Sequence, residues 1–298
     1  MHIGIIGQGF VGSAVREGLK QFYEVKTYDI DHTKCNSTHD DVCIGSDIIF
    51  VCLPTPMRKD GSCDTRILEK AVEDIDKTCS RISLLVKRPI VVIKSTIPPG
   101  TTERISKLYN NRGPGFPDMS ICFSPEFLTE ANSFEDFKNQ TRIIVGGPIP
   151  ATSAVKQMFR KAFPTIPIIK TGSNTAEMVK YFTNFFLATK VIFANQLYEI
   201  CESSGIDYDK VCEYALYDDR IGKSHLAVPG PDGDRGFGGH CFPKDLQALI
   251  SFAEVSRITH ERSLFLRAVK ECNDVYRTDR DWEKQEGRAI IKNIKKKK

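Results

Sequence analysis

Gly7-Gln8-Gly9-Phe10-Val11-Gly12 stands between the apolar run Ile3-Gly4-Ile5-Ile6 and a stretch, Ser13 to Phe22, whose neighbourhood repeats at helical spacing (Val11, Val15, Leu19). G-x-G-x-x-G between a strand and a helix is the setting of a dinucleotide-binding turn. Gly7 permits the tight turn, Gly9 lets the backbone reach a pyrophosphate, and Gly12 allows close helix–strand packing. The amides and dipole at the helix N-terminus favour the phosphate charge. A second strand, Glu24 to Tyr28, ends in Asp29. An acid at this spacing hydrogen-bonds the adenosine ribose and repels a 2′-phosphate, so NAD is expected rather than NADP. The alternative for Asp29 is a solvated carboxylate at a strand end.

The pattern then repeats. Asp47 to Leu53, Pro89 to Lys94, Ser120 to Phe123, Arg142 to Val145 and Pro167 to Ile169 read as strands, with helices at Thr65 to Cys79, from Thr101, and at Ala151 to Phe163. Alternating strands and helices predict an α/β protein with a Rossmann-type doubly wound parallel sheet. Ligands of such sheets lie at the carboxyl ends of the strands. There the sequence places Thr55, between Pro54 and Pro56, then Ser95-Thr96, and then Ser124-Pro125-Glu126-Phe127-Leu128-Thr129-Glu130. Thr55 is positioned to touch the cofactor. Glu126 and Glu130 either do acid–base work or begin a helix.

The second half has another character. Ser173 to Ser204 holds no proline and no glycine, and Gly205 follows as a stop. This predicts one helix of ~45 Å that leads into a helical domain and offers a dimer surface. Lys180 and Asn184 share one of its faces. A buried Lys180 would have a lowered pKa; the alternative is a solvated lysine. A long loop, Asp218 to Gly239, carries Arg220-Ile221-Gly222 and the turn-rich Pro229 to Gly233, and leads to Gly236-Phe237-Gly238-Gly239-His240-Cys241-Phe242-Pro243-Lys244-Asp245. Cys241 in such a loop can meet a substrate, Lys244 favours its thiolate, and Asp245 can hold a water or take a proton. The alternative is one more buried structural thiol. Lys244 to Val255 and Glu261 to Val275 read as the last helices. The tail from Asp281 has little to pack with apart from Trp282 and a weakly helical Ala289 to Ile294. The expected division is a cofactor domain over 1–172, a helical domain over 173–280 and a basic tail over 281–298.

Composition is that of an ordinary globular chain: 298 residues, 41% hydrophobic and 27% charged. The net charge of +4 is matched by the run Lys295 to Lys298, so the near-neutral body gives no argument for nucleic acid. The ten cysteines form no Cys-x-x-Cys pair and no zinc-like grouping with histidine, so no metal is expected. With no leader-like start and no membrane-length apolar run, the expected setting is cytoplasmic, with reduced thiols and no membrane partner.

Taken together, the chain resembles the UDP-glucose/GDP-mannose dehydrogenase family. The resemblance rests on Gly7 to Gly12 with Asp29, Val51-Cys52-Leu53-Pro54-Thr55-Pro56, Ser95 to Thr102, Ser124 to Leu128, Lys180 with Asn184, Arg220-Ile221-Gly222, and above all Gly236 to Asp245. It implies oxidation of a nucleotide-sugar C6 alcohol to the acid in two NAD-dependent steps, UDP-glucose first, with Cys241 holding the intermediate as thiohemiacetal and then thioester. It implies that Lys180 stabilises the oxyanion or takes a proton, that Asp245 with Thr96 positions water, and that Glu126 assists hydrolysis. It further implies that Asn184, Arg220, Phe237, Gly238, Phe127 and Leu128 contact substrate, and that Gln8, Phe10, Val11, Lys34 and Glu130 contact NAD. A homodimer through the long helix is expected. Three features depart from the family: the chain stops before the usual C-terminal nucleotide-binding domain, His240 replaces a small residue, and Ala227 to Asp234 lengthens the loop, a segment expected to replace contacts of that domain. Two rivals remain at this level: a one-step 3-hydroxyacid or 6-phosphogluconate-type dehydrogenase, which needs no cysteine, and a non-catalytic NAD-binding module.

Overall fold

The computed structural model describes residues 1–82, 88–113 and 118–292. The basic run Lys295 to Lys298 lies outside the described residues, as does the end of the Ala289 to Ile294 segment. The chain forms β1 (His2–Ile6), α1 (Phe10–Leu19), β2 (Glu24–Tyr28), α2 (His39–Ile44), β3 (Ile48–Val51), α3 (Arg66–Ile82), β4 (Ile90–Ile93), α4 (Thr101–Tyr109), β5 (Ile121–Phe123), α5 (Ser133–Lys138), β6 (Ile143–Gly146), α6 (Ile149–Ala162) and β7 (Ile168–Thr171). Then follow α7 (Ser173–Ser204), α8 (Tyr208–Ala215), α9 (Phe242–Val255) and α10 (Leu264–Tyr276).

The strands make one sheet in the order β2-β1-β3-β4-β5-β6-β7. All neighbours are parallel except β5 and β6, which meet antiparallel at Phe123 and Gly146. Strand side chains alternate between two buried faces. Ile3, Ile5, Ile48, Phe50 and Val92 pack with Val15, Leu19, Phe137 and Phe159. Ile6, Ile49, Val51, Val91 and Ile93 pack with Val42, Leu68, Val72 and Ile105. Burial of both faces is why these strands read as continuous apolar runs.

Two compact units result: Met1–Thr55 with Thr65–Lys180, and Pro56–Asp64 with Tyr181–Lys298. The boundary falls inside α7, later than the 172/173 division expected from sequence, because Ala176 and Val179 belong to the core of the first unit. The helix ends as its composition predicts. Gly205 takes φ +67°, and the Ile206 N–H donates to the Cys201 carbonyl at 2.9 Å. In the second unit Ala188, Ile192, Phe237, Leu246, Ile250 and Val269 form the main cluster.

The expectation of an unpacked tail after Asp281 is corrected. A 3-10 turn spans Asp281–Lys284, and Trp282 and Ala289 are buried. The Met57 N–H donates to the Ala289 carbonyl at 2.7 Å, and the Ile291 N–H to the Met57 carbonyl at 3.0 Å. Residues 289–291 are therefore bridged, not helical. The hydrogen-bonding partner is Met57, in a turn that sequence alone leaves as a loop.

Candidate active site

Register aligns Tyr28, Ile6, Val51, Ile93 and Phe123 at one edge of the sheet, so the loops after these strands share that edge. Gly7 takes φ +92°, and a Cβ there would lie 2.4 Å from the Cys52 carbonyl oxygen. A Cβ on Gly12 would lie 1.9 Å from the Gly7 oxygen. Both positions admit only glycine. Gly9 differs: nothing lies within 4 Å of its missing Cβ. The N-terminus of α1 has no side-chain cap and no acidic residue in its first turn. Beside it, Gln8 Oε1 is buried with no hydrogen-bond partner. Asp29 accepts from the Gln8 N–H at 2.5 Å and the Asp31 N–H at 2.9 Å, which fixes the carboxylate beside the glycine turn. An open cradle, an uncapped helix start, an orphaned amide oxygen and a fixed acid fit NAD. Thr55 is buried and donates to the Thr96 carbonyl at 2.7 Å, which ties two of these loops together.

At the end of β5 the buried Glu126 meets α7. Lys180 Nζ lies 2.9 Å from Glu126 Oε1, with the two side chains 5% and 7% exposed. The solvated reading of Lys180 is thereby excluded. The Leu128 N–H donates to Glu126 Oε2 at 2.7 Å. Burial pushes Glu126 up, but the Lys180 ammonium, the Leu128 N–H and the charge of Lys94 hold it below the usual carboxylate range. Lys94 is itself buried and donates to the Pro125 carbonyl at 3.1 Å. Burial pulls it down to about 8 against the opposing fields of Cys52 and Glu126. Phe127 carries Arg142 over its ring at 4.3 Å and Lys180 at 5.6 Å. Lys94, Glu126, Phe127, Leu128 and Arg142 border a cavity of about 300 Å³. An ionised carboxylate held by an ammonium in this setting can exchange a proton with a ligand.

Asn184 lies one turn beyond Lys180 on α7, inside the second unit. Its Nδ2 donates to Asp245 Oδ2 at 2.6 Å, and Lys244 Nζ donates to Asp245 Oδ1 at 2.5 Å. Lys244, Asp245 and Asn184 are buried. Burial pulls Lys244 down, but Asp245 and the fields of Cys63 and Cys241 hold it above the ordinary lysine range. Its ammonium is thus engaged by Asp245 while its charge still reaches the Cys241 thiol. Cys241 is half-buried and is the N-cap of α9, with the Asp245 N–H donating to its carbonyl at 2.9 Å. A thiol at the positive end of a helix is biased toward thiolate.

Residues 34–163 match the NAD binding domain of the UDP-glucose/GDP-mannose dehydrogenase family, and residues 174–275 match its central domain. UDP-glucose 6-dehydrogenase AglM of Haloferax volcanii is 31% identical over 92% of this chain and 70% of its own length. The chain belongs to the UDP-glucose/GDP-mannose dehydrogenase family. UDP-glucose 6-dehydrogenase TuaD of Bacillus subtilis is 33% identical over 78% of the chain and 47% of its own length. The chain therefore spans about half the length of the curated relatives it matches first. A UDP-glucose dehydrogenase structure from Pyrobaculum islandicum superposes with TM-score 0.78 at 27% identity, over 91% of this chain and 68% of that one. NAD is the cofactor of the matched domain, in agreement with the glycine turn and Asp29.

Other expected residues lie in different surroundings. Phe10 and Val11 are half-buried at the start of α1, with Val11 on the core. Lys34 pairs with Asp31 at 3.3 Å and stands in solvent, and Glu130 is exposed. Arg220 is 89% exposed and binds Asp218. Phe237 is a core residue, and Gly238 packs against Arg277. Sequence reading missed Lys94 as part of the Glu126 cluster, although a lysine closing an apolar strand at the ligand edge is a visible signal. It also missed Asn195, Asn273 and Asp281, which hold the Gly236 to Gly239 backbone through contacts distant in sequence.

Proposed function

We propose that this chain oxidises the C6 alcohol of a nucleotide sugar, UDP-glucose first, to the uronic acid in two steps through a covalent Cys241 adduct. The observation that carries the reading is Cys241 at the start of α9, beside the buried Asp245–Asn184–Lys244 set, in a chain of this family. Bound NAD+ supplies the hydride acceptor, and one is consumed at each oxidation.

The chain's own groups account for the rest. Water takes the alcohol proton as the hydride leaves, and the Lys180 ammonium stabilises the alkoxide and then the oxyanion that forms when Cys241 Sγ bonds the aldehyde carbon. At the thioester stage Asp245 with Thr96 holds the water, and Glu126 accepts its proton. The water oxygen bonds the carbonyl carbon, the carbon–sulfur bond breaks, and the thiolate leaves as the carboxylate forms. Glu126 suits this role because its neighbours keep it ionised despite burial. Asn184 orients Asp245 and contacts the substrate; Phe127, Leu128, Arg220, Phe237 and Gly238 are further contacts under this reading. Arg220 then has to exchange its pairing with Asp218 for the substrate.

A homodimer through α7 belongs to the same proposal. Phe182, Phe186, Phe193 and Ile200 are exposed along the helix, with Phe182 and Phe186 stacked. Such a stripe marks an association surface. A reducing, cytoplasmic setting is the one in which a Cys241 thiolate works; among the described residues no helix is long and apolar enough to cross a membrane.

Cys241→Ser tests the nucleophile. Acid formation from UDP-glucose, followed by mass spectrometry, is expected to fall by roughly 10³-fold or more. Acid formation within tenfold of the unaltered chain would overturn the covalent route.

A further inference from the structure

We propose that Asp281 is a positioning residue for the nucleophile loop: it fixes the turn that presents Cys241, and Arg277 holds it in place. The proposal rests on the reading of Cys241 as nucleophile. Both residues lie beyond 174–275, the stretch that matches the family's central domain.

The backbone just before Cys241 is held from outside at three of its residues. The Gly236 N–H donates to Asn195 at 3.2 Å, and the Phe237 N–H to Asn273 at 2.7 Å. The Gly239 N–H donates to both oxygens of Asp281, at 3.0 and 3.1 Å. Gly239 takes φ +70°, so this is the residue at which the chain turns into α9. A backbone amide in a left-handed turn has no ladder partner, and a carboxylate accepting it is a strong charge-assisted bond. Asp281 therefore fixes the turn two residues from the thiol.

Arg277 fixes Asp281. Its side chain is 4% exposed, and Nη2 lies 3.6 Å from Asp281 Oδ1 and 2.6 Å from Asp232. A Cβ on Gly238 would lie 2.2 Å from that same nitrogen, so the guanidinium packs directly on the loop backbone. A buried charge with several carboxylates in place is rigid, and rigidity behind a reactive group is what catalytic geometry requires. The consequence concerns the angle and surroundings of the thiol, not affinity for the sugar.

The test uses the full chain with Asp281→Ala and Asp281→Asn. One readout is the rate at which iodoacetamide labels Cys241 at neutral pH without NAD or sugar, resolved from the other cysteines by peptide mass spectrometry. The second is the split of kcat from KM with NAD and UDP-glucose. Asp281→Ala is expected to lower kcat at least about tenfold with KM changed less than about threefold. It is also expected to slow Cys241 labelling at least about threefold, as the thiolate loses its place at the helix end. Asp281→Asn, which keeps an acceptor oxygen, is expected to restore most of both. Should Asp281→Ala fail to fold, Asp281→Ser, whose hydroxyl is too short to reach Gly239, gives the same readings. Unchanged labelling together with unchanged kcat in the folded variant overturns the proposal while leaving the nucleotide-sugar reading intact. Slowed labelling in a chain that turns over no nucleotide sugar sinks the reading but keeps the positioning role.

Discussion

Glu126 and Lys180 face each other at 2.9 Å in a place nearly closed to water, so each buried charge depends chiefly on the other. Glu126 sits below its ordinary carboxylate range in the folded chain despite burial. Its ion pair therefore contributes stability above the unfolded value, about pH 4.3, and loses it as pH falls through the lower folded value. Lys180→Met removes the strongest of the groups that hold Glu126 down and leaves only the Leu128 N–H and the Lys94 charge against burial, so its carboxyl rises toward protonation. A loss of about 3–5 kcal/mol is expected at neutral pH, with the gap to the unaltered chain narrowing below about pH 4. Urea midpoints at the two pH values check this. A loss under about 1 kcal/mol at neutral pH would mean that the pair is not closed off from water.

At the scale of elements, the loop Pro229 to Gly236 takes on a role that sequence alone does not suggest. Asp232 binds Arg277 at 2.6 Å, and Asp234 accepts from the Thr278 N–H and hydroxyl and the Asp279 N–H. Those donors hold Asp234 down to about 2. Deleting Gly230 to Asp234, expected from the sequence to raise KM much more than it lowers kcat, strips Arg277 of two carboxylates. It is now expected to cost about 3 kcal/mol or more, seen as a lower urea midpoint. An unchanged midpoint with a raised KM would restore the loop as a substrate contact. Along α7, Phe186→Glu with Phe193→Glu is expected to convert a dimer to a monomer by light scattering, without loss of helix. A chain that is monomeric before substitution would remove α7 as an association surface.

These elements also show what was legible in the chain. The bounds of α7 follow from 32 residues free of glycine and proline, ended by a glycine in the left-handed region. The parallel strands follow from their apolar runs, because both faces of the sheet are buried. α2 and α5 escape notice because six residues give too little periodicity, although Thr38 and Asp41 cap α2 reciprocally. Lys180 and Asn184 declare a shared face by spacing. Their partners, Glu126 and Asp245, do not declare themselves as partners, since those contacts span 54 and 61 positions in the sequence. The bridge between the turn at Met57 and the strand-like return at Ala289 is illegible for the same reason: its two sides lie far apart in the sequence.

For the molecule as a whole, the family, the sheet and the NAD fit set the class of chemistry, and under the proposed function Cys241 sets its number of steps. A chain that spans about half the length of the relatives it matches first carries both the cofactor edge and the cysteine helix. The most direct measurement is the NADH released per nucleotide sugar consumed by the purified protein, across a small panel led by UDP-glucose. Two NADH per sugar is the predicted result, because the cysteine adduct carries the aldehyde to a second oxidation. One NADH per sugar, with the aldehyde accumulating, would contradict the account.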